Sequence, residues 1–212
     1  MELNINTLKA LDLHTSTNCD RKSLTGIWVH IDDDKLTFVT TDGHTLLKYN
    51  FPLEMWGNFQ KVLKDEFGFK LQDEPANGFL VLNKKFRKDL GGLVFNVSDP
   101  NGAGDTKEIY PNYRAIIPDQ FTCDPRETPQ FSFDTYAKVS KTYKLIGKPA
   151  ISLEGIRWNS RAGASAIHID GNTLIVLMPI RTPEDDDDFW LDCVQKMEAR
   201  ILSDAKEYSG VN

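Results

Sequence analysis

Four histidines, His14, His30, His44 and His168, are the first residues to weigh as chemistry. None stands at metal-ligand spacing from a second histidine, a cysteine or a carboxylate, so no zinc-type site is expected. The chain has no G-x-S-x-G nucleophile elbow, no H-E-x-x-H and no P-loop. Gly102-Ala103-Gly104-Asp105 superficially resembles a phosphate loop, but the lysine and helix that would complete one do not follow, and it is assigned to a hairpin turn. Asp32-Asp33-Asp34 is assigned to a solvated turn rather than a cation site. The three cysteines, Cys19, Cys123 and Cys193, match neither a disulfide framework nor a zinc site. No catalytic residue, metal or cofactor is expected, and the chain is taken as a non-enzyme.

The informative residues lie in three short segments far apart in the chain. Phe38 to Leu46 is an apolar strand that breaks at Asp42-Gly43, as a tight turn requires, and resumes. Tyr110-Pro111-Asn112-Tyr113-Arg114-Ala115-Ile116-Ile117-Pro118 is bracketed by prolines and expected to be extended. Leu174 to Arg181 is an apolar strand ending at Pro179, which cannot donate to a ladder. If they meet, Leu46, Ile116, Val176, Met178 and Ile180 can line an apolar cleft. Pro111 and Pro179 would stiffen its walls, and Met178 would adapt its shape to different anchors.

The elements that must carry these segments repeat a pattern of strand, capped helix and alternating strands. In the first copy Leu3 and Ile5 alternate as a short strand before a helix bearing Leu8, Leu11 and Leu13. Ile27 to Ile31, Leu36 to Thr40 and Thr45 to Tyr49 then read as strands, with Asp32 to Asp34 as a turn. Residues 62–69 form a mixed connector that fits neither period. The second copy starts at Phe79 to Leu82, with Asn83 as N-cap and Gly91-Gly92 ending a short helix. Leu93 to Val97 is its strand and Asp99 to Gly102 its turn. The third starts at Gln130 to Phe133, with Asp134 as N-cap and a helix over Tyr136, Val139, Tyr143 and Ile146 that stops at Gly147. Strands near residues 150–153, 155–159, 164–169 and 174–178 follow.

The implied organisation is a two-repeat domain over 1–118, a linker at 119–129, a half domain of one repeat over 130–181, and an appendix at 182–212. That appendix opens with the acidic run Glu184 to Asp188, placed where a helix N-terminus favours negative charge. A C-terminal helix follows, with Trp190, Val194, Met197, Ile201 and Ala205 near one face.

The 25 basic and 31 acidic side chains leave a net charge of -6, so any nucleic-acid contact must be local. Two clusters are candidates: Lys84, Lys85, Arg87 and Lys88 on the second helix, and Lys138, Lys141 and Lys144 along one face of the third. No apolar run is long enough to span a membrane. MELNINTLKALD lacks the basic and apolar regions of a secretory signal, and cysteine usage suits a reducing cytoplasm.

Taken together, the three segments in this order resemble the bacterial replicative sliding clamp, the beta subunit of DNA polymerase III. Lys22 to Trp28 is also similar to the strand that precedes the first motif in that family. The resemblance runs to Arg181. It implies an α+β fold of DNA-clamp (processivity) type, with about three strand-helix-strand repeats here, and one pocket that takes a short peptide carrying a Gln and a Leu/Phe pair. By position the implied peptide-binding residues are Thr41, Gly43, His44, Leu46, Pro111, Ile116, Val176, Met178, Pro179, Ile180 and Arg181. The family's arginines after the first motif and within the second are Thr45 and Ala115 here, which removes two long cationic walls. The implied partners are a DNA polymerase and other clamp-binding peptides, duplex DNA held without regard to sequence, and further copies of the chain in a homo-oligomer. The implied setting is the cytoplasm of a bacterial or phage-infected cell. A non-ring clamp mimic, acting as adaptor or inhibitor of replication proteins, is the alternative.

Overall fold

A computed structural model of the protein describes residues 3–18, 22–32, 34–82, 93–95, 113–117, 129–148, 156–158 and 163–180. The chain divides into two compact units, Met1–Pro179 and Ile180–Asn212, and all described residues except Ile180 belong to the first. Eight strands are described: β1 (Ile27–Asp32), β2 (Lys35–Thr41), β3 (Thr45–Pro52), β4 (Gly78–Leu80), β5 (Leu93–Phe95), β6 (Ile156–Trp158), β7 (Ser165–Asp170) and β8 (Thr173–Leu177). They form one sheet in the order β5-β4-β1-β2-β3-β8-β7-β6, antiparallel at every junction. The strands of the first and third repeats are therefore joined edge to edge, β3 against β8. Three α-helices are described: α1 (Ile5–Asp12), α2 (Trp56–Phe67) and α3 (Phe133–Leu145).

Strand alternation sends successive side chains to opposite faces, and both faces of this sheet are apolar. Ile27 and Val29 of β1, Leu36 and Phe38 of β2, Leu47, Tyr49 and Phe51 of β3, and Ile175 and Leu177 of β8 point to one face. There they pack with Leu8 and Leu11 of α1, Trp56, Phe59 and Leu63 of α2, and Val139 and Tyr143 of α3. The opposite phase, Trp28, Val39, Leu46 and Val176, forms a second, smaller cluster.

Gly26 sits where β1 enters the sheet. A Cβ built there would lie 2.7 Å from the Leu80 carbonyl oxygen and 2.7 Å from the Phe79 ring, so only glycine permits this approach of β1 to β4.

Several local expectations are corrected. Leu3 and Ile5 do not form a strand: Asn4 is the N-cap of α1, and its side-chain oxygen accepts the amides of Asn6 at 2.9 Å and Thr7 at 3.2 Å. Helix α1 ends at Asp12, before Leu13. The cap of α3 is Ser132 rather than Asp134, because its hydroxyl accepts the Thr135 amide at 3.1 Å. Residues 62–67 of the expected 62–69 connector are instead the second half of α2, whose buried Trp56, Phe59 and Leu63 lie at helical spacing. The expected helix after Asn83, the Asp99–Gly102 turn, the 119–129 linker, the 150–153 strand and the C-terminal helix lie wholly or almost wholly outside the described residues.

Candidate functional site

The first segment is β2, a turn and β3. Asp42 organises the turn through one carboxylate oxygen, Oδ1, which accepts the amides of His44 at 2.8 Å and Thr45 at 2.7 Å and lies 3.1 Å from the Thr45 hydroxyl oxygen. The Thr41 hydroxyl donates to the Thr45 carbonyl at 2.7 Å and accepts the Gly43 amide at 3.1 Å. Gly43 has φ 92°, a conformation that side chains other than glycine's resist. The Thr-Asp-Gly spacing is thus accounted for by turn building, and it leaves His44 exposed at the tip.

The other two segments meet this one on the second apolar cluster. Leu46 of β3 faces Val176 of β8 across the ladder. The pairing continues one step past β8, where the Met178 amide donates to the His44 carbonyl at 2.8 Å. Over the same face lies the short 3-10 turn Tyr113–Ala115. Its Tyr113 is buried in the cluster with Trp28, Val39, Leu46 and Val176, and Ile116 and Ile117 pack against it. Tyr113 is pinned by its hydroxyl, 2.9 Å from His30 Nε2, and by Lys48, whose ammonium lies 5.7 Å from the ring centre. Arg114 pairs with Asp32 at 3.1 Å. Burial pushes the Tyr113 hydroxyl pKa up and that of Lys48 down.

Of the eleven implied peptide-site residues, Thr41, Gly43, His44, Leu46, Ile116, Val176, Met178 and Pro179 lie on the turn, the two paired strand ends and the 113–117 segment. Thr41, Leu46 and Val176 are buried, while Ile116, Met178 and Pro179 are half-buried. Pro111 and Arg181 lie outside the described residues, and Ile180 belongs to the second unit.

Beneath the turn is a polar layer the sequence did not announce. The Lys138 ammonium of α3 is ion-paired with Asp42 Oδ2. His14, fully buried just past α1, places Nδ1 2.9 Å from the Thr45 hydroxyl and Nε2 2.9 Å from the Thr142 hydroxyl of α3. Burial lowers the His14 pKa to about 4, against the attraction of Asp42. For Asp42, burial opposes ionisation, yet the Lys138 ammonium and the amides of Thr45 and His44 hold its carboxyl below the usual range. A cleft of about 600 Å³ adjoins this layer, lined by Asp12, Thr15, Ser16, Asp42, His44 and Lys138 among others.

Of the candidate DNA contacts, Lys141 and Lys144 are exposed on α3 whereas Lys138 is turned to Asp42. Lys84, Lys85, Arg87 and Lys88 lie outside the described residues. Among the described residues no group of three or more His, Cys, Asp or Glu could hold a metal ion, and no helix is long and apolar enough to cross a membrane. The residues missed from sequence are Trp28, Phe79 and Tyr113 around the cluster and His14 beneath the turn. The signal for the first two was the second apolar phase of β1 and β4. His14 had none, because its partners lie 31 and 128 residues away.

No protein-family model matches the chain, and no curated protein matches it. Solved structures similar to it are bacterial DNA polymerase III beta sliding clamps. The Thermotoga maritima beta subunit has 11% identity and a TM-score of 0.46, over 84% of this chain and 63% of that one. The Borrelia burgdorferi beta subunit has 14% identity and a TM-score of 0.46, over 86% and 64%. The Bartonella birtlesii clamp has 16% identity and a TM-score of 0.44, over 84% and 63%. The chain thus spans less than two thirds of the length of these clamps.

Proposed function

We propose that the chain is a sliding-clamp-like DNA replication protein, a polymerase processivity factor that docks clamp-binding peptides in the apolar site around Leu46, Ile116, Val176 and Met178. The observation that carries this is the meeting of the three segments on one cluster, with the Met178 amide bonded to the His44 carbonyl at 2.8 Å. Segments separated by more than fifty residues have no local reason to share a surface. Half-buried Ile116, Met178 and Pro179 beside a buried floor suit an apolar anchor residue, and the exposed His44 supplies a polar rim. The client is a peptide with a Gln and a Leu/Phe pair, drawn from a DNA polymerase or another replication protein. Duplex DNA is held through Lys141, Lys144 and the Lys84 to Lys88 cluster, in a homo-oligomer working in the cytoplasm.

Calorimetric titration with such a peptide tests the site. Wild type binds, whereas Met178→Ala binds about tenfold or more weakly, as loss of a central contact predicts, and His44→Ala, at the rim, weakens binding by a smaller factor. Equal binding by all three proteins removes the proposal. The second reading, a clamp mimic that captures the same peptides without encircling DNA, is favoured by one observation: Lys138 is engaged with Asp42 rather than facing solvent. Under that reading the protein is monomeric in light scattering and charge reversal at Lys141 and Lys144 leaves its function untouched.

A further inference from the structure

The Asp42 carboxylate uses its two oxygens for different tasks. Oδ1 serves the turn, accepting the amides of His44 and Thr45. Oδ2 reaches out of the turn to the Lys138 ammonium on α3, 96 residues away. The pair is sheltered, with the Asp42 side chain 9% exposed and that of Lys138 32%. A second strut runs parallel to it: the Thr142 hydroxyl, one helical turn beyond Lys138, meets His14 Nε2 at 2.9 Å, and His14 Nδ1 meets the Thr45 hydroxyl at 2.9 Å. Thr142 is tied to Lys138 as well, its hydroxyl donating to the Lys138 carbonyl at 2.9 Å. Helix α3 therefore grips the turn at both ends, Asp42 and Thr45. Between those two points lies His44, whose carbonyl holds the Met178 amide.

We propose that Lys138 is a positioning residue of the docking site: its pairing with Asp42 sets the turn where the His44 carbonyl meets Met178, so that α3 governs the shape of the peptide cleft. This rests on the peptide-docking function proposed above, and it takes Lys138 out of the set of phosphate contacts. A buried carboxylate left without its cation pulls toward water, and the simplest movement available to it is displacement of the turn. Asparagine at position 42 keeps the oxygen that builds the turn and removes the charge that needs Lys138.

The test is calorimetry of a synthetic peptide carrying a Gln and a Leu-Phe pair, alongside hydrogen exchange of the Met178 amide. The proteins are wild type, Lys138→Met, Lys138→Arg, Asp42→Asn and the Asp42→Asn/Lys138→Met double variant, with Lys61→Gln as a charge control. Lys138→Met is expected to bind about tenfold more weakly, as loss of one partner of a sheltered pair implies. Lys138→Arg and the double variant are expected to stay within about threefold of wild type, the coupling being confined to the pair. Exchange at Met178 speeds up in Lys138→Met and returns to the wild-type rate in the double variant. Unchanged binding in Lys138→Met overturns the inference, as does failure of Asp42→Asn to rescue it, which would mean that Lys138 touches the peptide itself. If Lys138→Met does not fold, Asp42→Asn alone still decides: it breaks the same pair and leaves the Lys138 ammonium without its carboxylate, so weaker peptide binding and faster Met178 exchange than in wild type are required of it. Absence of peptide binding by wild type sinks the docking function, while the Met178 exchange pattern still judges the role of Lys138.

Discussion

Lowering the pH from 7.5 to 5 is expected to remove a large part of the folding free energy, because the fold buries two histidines in uncharged form. His14 is enclosed between α1, β3 and α3, with threonine hydroxyls at both ring nitrogens. His30 lies beneath Tyr113, 2.9 Å from its hydroxyl. Burial lowers each pKa from 6.5 to about 4, in His30 against Asp32 and with help from Arg114 and Lys48. Between those values the unfolded chain binds protons that the folded chain does not. The stabilisation is therefore complete above the unfolded value and drains away as the pH falls from 6.5 toward 4. A difference of this size makes each histidine worth about 2 kcal/mol at pH 5 and about 3 kcal/mol once both states are protonated. Two such losses at pH 5 are a large share of the roughly 5–15 kcal/mol that holds a domain together. Asp42 and Asp170, whose values are depressed, release their contributions chiefly below the ordinary carboxylate value of 3.8, under the tested window. Urea unfolding at half-unit steps from pH 7.5 to 4.5 measures the slope. His14→Gln/His30→Gln, which keeps a hydrogen-bonding side chain at each site, is expected to be less stable at pH 7.5 but much flatter across the window. A wild-type profile that changes by less than about 1 kcal/mol between pH 7 and 5 would refute the reasoning, as would a double variant with the wild-type slope.

Further outcomes follow from particular contacts. Gly26→Ala forces a methyl to 2.7 Å from the Leu80 carbonyl and is expected to lower stability by about 1–3 kcal/mol in urea unfolding. Gly43→Ala puts a side chain at φ 92° and is expected to cost about 1–3 kcal/mol, with loss of protection at the Met178 amide in hydrogen exchange. Leu46→Ala and Leu47→Ala are each expected to destabilise the fold by about 2–5 kcal/mol, both being buried, but they empty opposite faces of β3. Only Leu46→Ala is expected to weaken peptide binding at a temperature where both variants are folded.

Most strands were legible because their apolar residues keep a two-residue period and Gly or Asp marks the breaks. Helix α2 was not, although Trp56, Phe59 and Leu63 stand at helical spacing. Its first residues follow directly on β3 through Pro52 and a 3-10 turn, and Phe67, Gly68 and Phe69 blur its end. The N-terminal misassignment has a similar cause: Leu3 and Ile5 alternate, but Asn4 between them caps a helix, and capping geometry outweighs two apolar residues. The three segments of the candidate site are visible in the sequence as segments, yet their meeting depends on the β3–β8 pairing, between strands that start 128 residues apart. No local pattern encodes such a pairing. It came from the resemblance, and the register Leu46 opposite Val176 is its physical counterpart.

The Thr-Asp-Gly-His segment shows why a motif and a site differ. Every one of its first three residues has a structural occupation: Thr41 bonds the turn from within, Asp42 builds it and anchors it to α3, and Gly43 takes the backbone conformation it needs. Only His44 is left over, exposed, with its carbonyl committed to Met178. The first three residues are thus required even if no peptide ever binds, and their presence alone argues for the turn. The function hangs on what the turn is held against. An isolated hairpin would need neither the Lys138 pair nor a buried His14, whose desolvation makes the molecule less stable in acid. Two sheltered polar struts under one exposed loop are a costly arrangement for a surface turn, and they are understandable if the position of His44 and Met178 matters to something that binds there.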